Sequence, residues 1–308
     1  MRLPVTAASV TAAPWRAWPG WAQALGVYAV ARLVSFVVLE RTARFQVANP
    51  WTGRDPTYLE FAGIWDGDWY RRIAEGGYPL PLPRDVAGEP VQSEWAFYPA
   101  YPLLVRGVTA VLGTSWTTTA PVVSLLLGAA AIVVVHRLFA RVAGDRTALT
   151  GVVLVSLFPT APVLQVAYTE SLALLALAAA LYLLVARRYL LAMPAVLLLG
   201  LTRAVALPFA VVVAVHLFAR WRTRRADRFG VAERVQVVAL GLVSVAAGVA
   251  WPLAVGIATG ELTAYTDVQG AWRGGDTVFL RPWWSMSQFL LGEWVGPLVL
   301  AAVAVAVG

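Results

Sequence analysis

Long apolar runs separated by short arginine-rich segments restrict what this chain can fold into. The runs cover residues 22–39, 118–138, 147–164, 170–186, 189–202 and 204–219. Most approach the ~20 residues that a helix needs to cross ~30 Å of hydrocarbon. Inside lipid the backbone polar groups must bond within the segment, so the runs predict helices. We therefore expect an all-α, polytopic transmembrane protein, in line with 59% hydrophobic and 13% charged residues.

The basic residues are all arginines, and their positions indicate an orientation in the membrane. The chain has 24 of them and a net charge of +7. They lie mostly between the apolar runs, which is the pattern that the positive-inside rule describes for cytoplasmic loops. We therefore expect a membrane as the partner of this chain, and no nucleic acid.

Residues 97–113 decide the topology, because they are apolar but short and contain two prolines and Arg106. If they lie at the interface, the later arginine-rich loops, including the run from Arg220 to Arg234, fall on the side of the N-terminus. If they span, those loops fall outside, against the positive-inside rule. The interfacial position makes residues 40–117 an extracytoplasmic loop with interfacial helices, and it also puts the loop 258–294 outside.

We expect residues 1–308 to form a single transmembrane domain. The final apolar run, from Val295 to Gly308, is shorter than a full span, so we expect the domain to continue beyond it. Cysteine is absent, which excludes a disulfide framework and thiolate metal ligands.

Polar chemistry is concentrated in residues 65–78, which read WDGDWYRRIAEGGY. Apolar side chains recur there at helical spacing before two glycines, which predicts a short amphipathic helix at the membrane surface. Arg71 and Arg72 are spaced to pair with Glu75. Asp66 lies at the start of this helix, where an Asp is often simply an N-cap.

Two further motifs follow in order: residues 95–102 read WAFYPAYP, and residues 168–171 read YTES. The order WD-x3-Y-x2-IA-x2-GY, AF-[FY]-P-x-YP, Y-[ST]-ES resembles the PIG-V family, the second mannosyltransferase of glycosylphosphatidylinositol assembly and its bacterial relatives. That family belongs to the polytopic GT-C glycosyltransferases, which use lipid-linked sugars. The resemblance runs from about Val30 to Pro282.

The resemblance implies roles for individual residues. Asp66 matches the family's catalytic base, and Asp68, at a more variable position, is the second candidate. Glu170 matches the glutamate of the third motif, although a carboxylate at a helix start is also favoured by the helix dipole alone. The remaining motif residues expected to bind substrate are Trp65, Tyr70, Tyr98 and Tyr168.

Two arginines fall within or between apolar runs. Arg203 separates runs that together cover only residues 189–219, so its turn should lie below the outer surface. Such an Arg needs an anionic partner or a watery cavity. Glu170 and the donor phosphate are the candidates, and an Arg recurs here in the family. Arg32, inside the first run, is expected to face a neighbouring helix or a polar cavity without taking part in chemistry.

The outer loop 258–294 contains Trp272 and Arg273, which suit headgroup depth either as substrate-binding residues or as a simple aromatic anchor. The two histidines, His136 and His216, lie at the inner ends of apolar runs and lack metal-ligand spacing. We therefore expect no metal and no cofactor, and the resemblance implies a lipid-linked sugar as the donor substrate.

The resemblance implies a mannosyltransferase of the cell membrane, and the charge distribution puts its active site on the outer face. It would move mannose from polyprenyl-phosphate mannose to a lipid or glycolipid acceptor. A transporter or flippase is the alternative from another class, but no inverted repeat is visible and the polar residues concentrate in one outer loop. A GT-C enzyme that uses a different lipid-linked sugar also stays open.

Overall fold

A computed structural model describes residues 18–273 and 281–307, and the regular secondary structure within these residues is helical apart from one isolated β-bridge, between Arg84 and Pro90. The helices are α1 (Gly20–Ala43), α2 (Tyr58–Phe61), α3 (Asp66–Gly76), α4 (Ala100–Leu112), α5 (Trp116–Ala143), α6 (Asp145–Leu157), α7 (Glu170–Val185), α8 (Tyr189–Gly200), α9 (Ala206–Thr223), α10 (Val231–Thr259), α11 (Ala264–Ala271), α12 (Arg281–Leu291) and α13 (Val295–Val307). The expectation of an all-α chain is confirmed for the described residues.

Among the described residues, four helices, α1, α5, α9 and α10, are long and apolar enough to cross a membrane. They contain 24, 28, 18 and 29 residues, and many of their large apolar side chains are exposed, as lipid-facing residues are. The predicted runs 22–39 and 118–138 fall inside α1 and α5, and all but the first two residues of the run 204–219 lie in α9. By helix length and composition, the chain is a membrane protein.

The other three predicted runs form shorter helices, and α7 and α8 match the expected runs 170–186 and 189–202 to within two residues. The run 147–164 is not one helix, because α6 ends at Leu157, just before Pro159, and a 3-10 helix follows at Ala161–Gln165. Helices α7 and α8 have 16 and 12 residues, so α8 rises only about 18 Å.

Helix α4 covers most of the ambiguous segment 97–113. Its 13 residues rise about 20 Å, less than the ~30 Å of hydrocarbon. Tyr101 and Val105 are fully buried, whereas Leu103 and Arg106 on the other side are exposed. This length and two-sided character fit the predicted interfacial position.

The chain divides into two compact units. Residues 1–79 and 97–254 form the first, whose core includes three larger clusters: α3 and α4 with α5, α1 with α5 and α6, and α7 to α10. Residues 80–96 and 255–308 form the second, in which α12 packs on α13 and Arg84 pairs with Glu261.

Arg32 supports the fold of the first unit from the middle of α1. It is buried, and its guanidinium donates to the backbone oxygens of Ser156, at 2.8 Å, and of Ala161. The Ser156 carbonyl lies in the last turn of α6, where helix carbonyls lack intrahelical partners. The expectation that Arg32 faces a neighbouring helix is confirmed.

Candidate functional site

Helix α3 forms where the amphipathic pattern predicts it and presents Asp66 at its first turn. Trp65, the residue before the helix, has a left-handed φ of 56°, and its side chain makes no capping hydrogen bond. Asp66 is the first helical residue, so the interpretation of Asp66 as the N-cap is wrong. Such a backbone conformation is costly for a bulky residue and is often found at functional sites.

The first and third motifs meet in the first unit, together with the turn between α8 and α9. Arg203 Nη1 lies 2.6 Å from Glu170 Oε1 and 3.3 Å from Thr169 Oγ1. The hydroxyl of Tyr70, on α3, lies 3.3 Å from the same Thr169 oxygen. Three segments that are far apart in sequence therefore form one polar cluster, which we call the acidic cluster: Asp66, Tyr70, Thr169, Glu170 and Arg203.

The second motif holds the turn that carries Arg203. The backbone N–H of Ala100, at the start of α4, donates to the Leu201 oxygen at 2.9 Å. Within the turn, Thr202 Oγ1 donates back to the Leu198 oxygen at 2.6 Å. The position of the guanidinium is thus fixed by the backbone of α4 as well as by its own helix.

Asp66 is half-buried and electrostatically coupled to the cluster. Burial raises the pKa of its carboxyl, the nearby Glu170 carboxylate raises the pKa further, and the Arg203 guanidinium lowers it. In the part of the chain that the structure describes, the Asp66 carboxylate has no hydrogen-bond or ion-pair partner. An unpaired carboxylate with a raised pKa is a better proton acceptor than an ordinary surface Asp.

Two tyrosines border this carboxylate as neutral hydroxyls. Burial raises the pKa of both Tyr70 and Tyr168. Tyr168 donates to the Ile64 oxygen at 3.3 Å, just before α3. Both rings therefore fix the start of α3 against the segment that leads into α7.

Asp68 lies on a different side of α3 and is fully engaged. Its two oxygens bond Arg71 at 2.6 Å and Arg72 at 2.8 Å. The expected pair of Arg71 with Glu75 forms, at 2.9 Å, but Arg72 pairs with Asp68 instead of Glu75. Both carboxylate oxygens are thus held by guanidinium groups three and four residues further along the helix, so Asp68 stabilises α3.

A polar cavity of about 520 Å³ opens beside Asp68 and Arg71. Trp51 and Trp116 line it together with the charged side chains of Arg54, Asp55 and Glu75. Trp65 is 56% exposed and meets Trp51 edge to face, at 6.3 Å between ring centroids. Aromatic rings beside planar charged groups suit a polar ligand with one apolar face.

Three further predicted site residues are not members of the acidic cluster. Tyr98 is buried and packs on Trp251, at 6.1 Å between ring centroids. In the second unit, Trp272 follows α11, and Arg273 lines a cavity of about 880 Å³ with Glu261 and Asp267. Residues 274–280 of the predicted headgroup loop lie outside the described residues.

Thr169 was missed as a candidate, although the structure makes it the link between two parts of the cluster. Its side chain is fully buried and contacts both Tyr70 and Arg203. Its position inside the YTES motif, where the family pattern requires Ser or Thr, was the available signal. A hydroxyl is needed there because it can accept from Arg203 while bonding the tyrosine.

Among the described residues, no group of three or more His, Asp or Glu side chains could hold a metal ion. Comparisons with family models, with curated proteins and with solved structures give no match to the chain. Any functional assignment therefore rests on the residues of the acidic cluster and on the motifs that supply them.

Proposed function

We propose that the chain is a membrane glycosyltransferase that moves mannose from polyprenyl-phosphate mannose to a hydroxyl of a lipid or glycolipid acceptor. The observation that carries the proposal is the acidic cluster: an unpaired, half-buried Asp66 carboxylate beside the Glu170–Arg203 pair. A base and a cation in one site are what sugar transfer from a phosphate donor requires.

Asp66 is the general base in this mechanism. Its carboxylate takes the proton of the acceptor hydroxyl as the acceptor oxygen attacks the anomeric carbon. The bond from that carbon to the phosphate oxygen breaks, and the bonding electrons leave with the polyprenyl phosphate. Direct displacement on a β-linked donor gives an α-mannoside with inverted configuration.

Arg203 stabilises the leaving phosphate. Its Nη1 group is occupied by Glu170 and Thr169, whereas its Nε and Nη2 groups have no partner among the described residues. The side chain is 43% exposed, so these two donors are accessible. A guanidinium edge with two parallel N–H groups matches two phosphate oxygens.

Glu170 acts as a positioning residue. It holds the Nη1 side of Arg203 and thereby fixes the direction of the free guanidinium edge. It also raises the pKa of Asp66, which strengthens that residue as a base. The family resemblance is what favours mannose over another sugar and the outer face over the inner one.

The test is transfer itself. Membranes that contain the full-length protein are incubated with radiolabelled polyprenyl-phosphate mannose, and label is followed into lipid and protein fractions. Transfer that depends on Asp66 supports the proposal. Transport of solute without any transfer of label would instead support the transporter alternative, and transfer only from another lipid-linked sugar would correct the donor.

A further inference from the structure

Eight arginines lie in or beside two turns of the first unit, the turn between α7 and α8 and the turn between α9 and α10. The acidic cluster uses the other ends of these helices, namely the start of α7 and the turn between α8 and α9. The eight arginines are Arg187, Arg188, Arg220, Arg222, Arg224, Arg225, Arg228 and Arg234. The pair between Arg187 and Asp227 joins the two turns. We call these eight residues the arginine patch.

The two acids in these turns are already occupied. Arg220 is only 6% exposed, and it bonds Glu233 Oε1 at 3.0 Å and Asp227 Oδ2 at 2.8 Å. Asp227 also pairs with Arg187, and Glu233 accepts from the Tyr189 hydroxyl at 3.0 Å. This network holds the two turns together, and its ion pairs neutralise both carboxylates.

The other six arginines have no carboxylate partner in the described part of the chain. Five are exposed, namely Arg188, Arg222, Arg225, Arg228 and Arg234. The patch therefore presents uncompensated positive charge on its surface. Surface ion pairs would be the ordinary way to balance such charge, and they are absent among these residues.

Aromatic side chains lie among the arginines. Arg224 stacks over Trp221 at 4.2 Å, and Arg222 lies over Phe218 at 5.7 Å, measured to the ring centroids. Trp221 and Phe218 stack on each other and are 49% and 55% exposed. Both belong to the last turns of α9, a helix apolar enough to cross the bilayer, so they suit the depth of lipid headgroups.

We propose that the arginine patch binds the phosphate groups of anionic phospholipids in the adjoining leaflet. Guanidinium groups bind phosphate bidentately, and clusters of basic residues beside a membrane helix attract anionic lipid. Exposed Trp and Phe favour a lipid surface over a soluble polyanion, because their rings insert at the interface. This inference is independent of the proposed sugar transfer.

The test titrates phosphatidylglycerol into the purified full chain in neutral detergent and measures bound lipid by native mass spectrometry. The variant R222Q/R225Q/R228Q should bind about 100-fold more weakly, at roughly fivefold for each arginine lost. The matched control R137Q/R141Q/R146Q removes three exposed arginines around the α5–α6 junction and should keep wild-type affinity. Phosphatidylcholine should bind weakly to all three proteins.

Three results would overturn the inference. Equal weakening in both triple variants would reduce it to a general effect of net charge. Equal affinity of the wild type for phosphatidylglycerol and phosphatidylcholine would exclude charge recognition. Competition by inorganic phosphate would point to a free anion as the ligand. If the patch variant does not fold, the wild-type protein still tests the inference. Its affinity for phosphatidylglycerol must fall as salt is added, and an affinity that is independent of salt would contradict binding by charge.

Discussion

The Nη1 atom of Arg203 lies 2.6 Å from Glu170 Oε1, and this contact joins the turn between α8 and α9 to the start of α7. Arg203 therefore has the anionic partner that its position demands. The pair is partly exposed, with 43% and 29% of the two side chains accessible, so it adds little to stability. In the proposed mechanism, the pair serves to direct the free edge of the Arg203 guanidinium toward the donor phosphate.

The first prediction separates these two roles of Arg203. Arg203→Ala should lose ~0.2–1 kcal/mol of unfolding free energy, because an exposed pair contributes no more than that. Donor use should fall strongly, and less so in Arg203→Lys, which keeps the charge. Donor kinetics and thermal unfolding are measured for each variant.

The double variant Arg203→Ala with Glu170→Ala is the control. It removes both charges and should recover stability but not donor use. Recovery of donor use in the double variant would show that Arg203 serves only as the partner of Glu170.

The second prediction compares the two carboxylates of α3. Asp66→Asn should lower transfer by ~10²- to 10⁴-fold, as expected for loss of a general base. Its stability at neutral pH should not fall. The folded-state pKa of Asp66 is raised, so its ionised form opposes folding at pH values above that pKa, and no such cost exists below the unfolded pKa.

Asp68→Asn should behave in the opposite way. It breaks the pairs with Arg71 and Arg72, which should cost up to ~1 kcal/mol, while transfer stays close to that of the wild type. Thermal unfolding and transfer assays on the two variants check this contrast. Loss of transfer in Asp68→Asn alone would mean that the wrong carboxylate has been assigned.

The convergence of Asp66, Glu170 and Arg203 was predictable from the sequence, because each stood out as a charge beside or between apolar runs. The role of Asp68 was partly predictable: the spacing to Arg71 and Arg72 was visible, but both arginines were assigned to Glu75. Spacing cannot decide between two acids that are within reach of the same guanidinium.

Three other features were not predicted from the sequence. The positive φ of Trp65 has no sequence signal, because bulky residues rarely adopt this backbone conformation and no residue pattern predicts it. Pro159 was a signal for the end of the helix at Leu157. The run 147–164 was nevertheless predicted as one span, because that prediction used apolar composition alone. Burial of Tyr98 against Trp251 depends on tertiary packing between distant segments.

The third prediction concerns pH. In the proposed mechanism transfer needs ionised Asp66, and the pKa of Asp66 is raised. The acid limb of the pH profile should therefore lie above the ordinary Asp value of about 3.9. Glu170→Gln removes a charge that raises this pKa and should move the limb to lower pH. Arg203→Gln removes a charge that lowers it and should move the limb to higher pH.

Asp68→Asn is the control for the pH profiles, since Asp68 is not among the charges that shift Asp66. Its acid limb should coincide with that of the wild type. Shifts of the same sign in Glu170→Gln and Arg203→Gln would rule out Asp66 as the titrating base.

The fourth prediction concerns topology, for which the absence of cysteine is convenient. Single cysteines at Glu89 and Arg225, both exposed positions, are labelled in intact cells with an impermeant maleimide. Cysteine at position 89 should react at once, and cysteine at position 225 only after permeabilisation. The reverse pattern would put the acidic cluster on the inner face and exclude an externally oriented donor.

The last prediction uses the packing beneath Arg203. Gly200 ends α8 immediately before the turn, and a Cβ there would lie 2.5 Å from the Ala247 backbone oxygen of α10. The obstacle is backbone, so the helices must separate or the turn must move. Gly200→Ala should therefore cost ~1–3 kcal/mol of stability and also weaken donor use, because Arg203 is displaced from Glu170.

The matched control is Gly26→Ala in α1, where a Cβ meets nothing within 4 Å. That variant should unfold at or slightly above the wild-type temperature and keep full donor use. Thermal unfolding and donor kinetics on both variants decide the matter, and a Gly200→Ala protein with wild-type kinetics would show that the turn tolerates displacement and that the position of Arg203 is not critical.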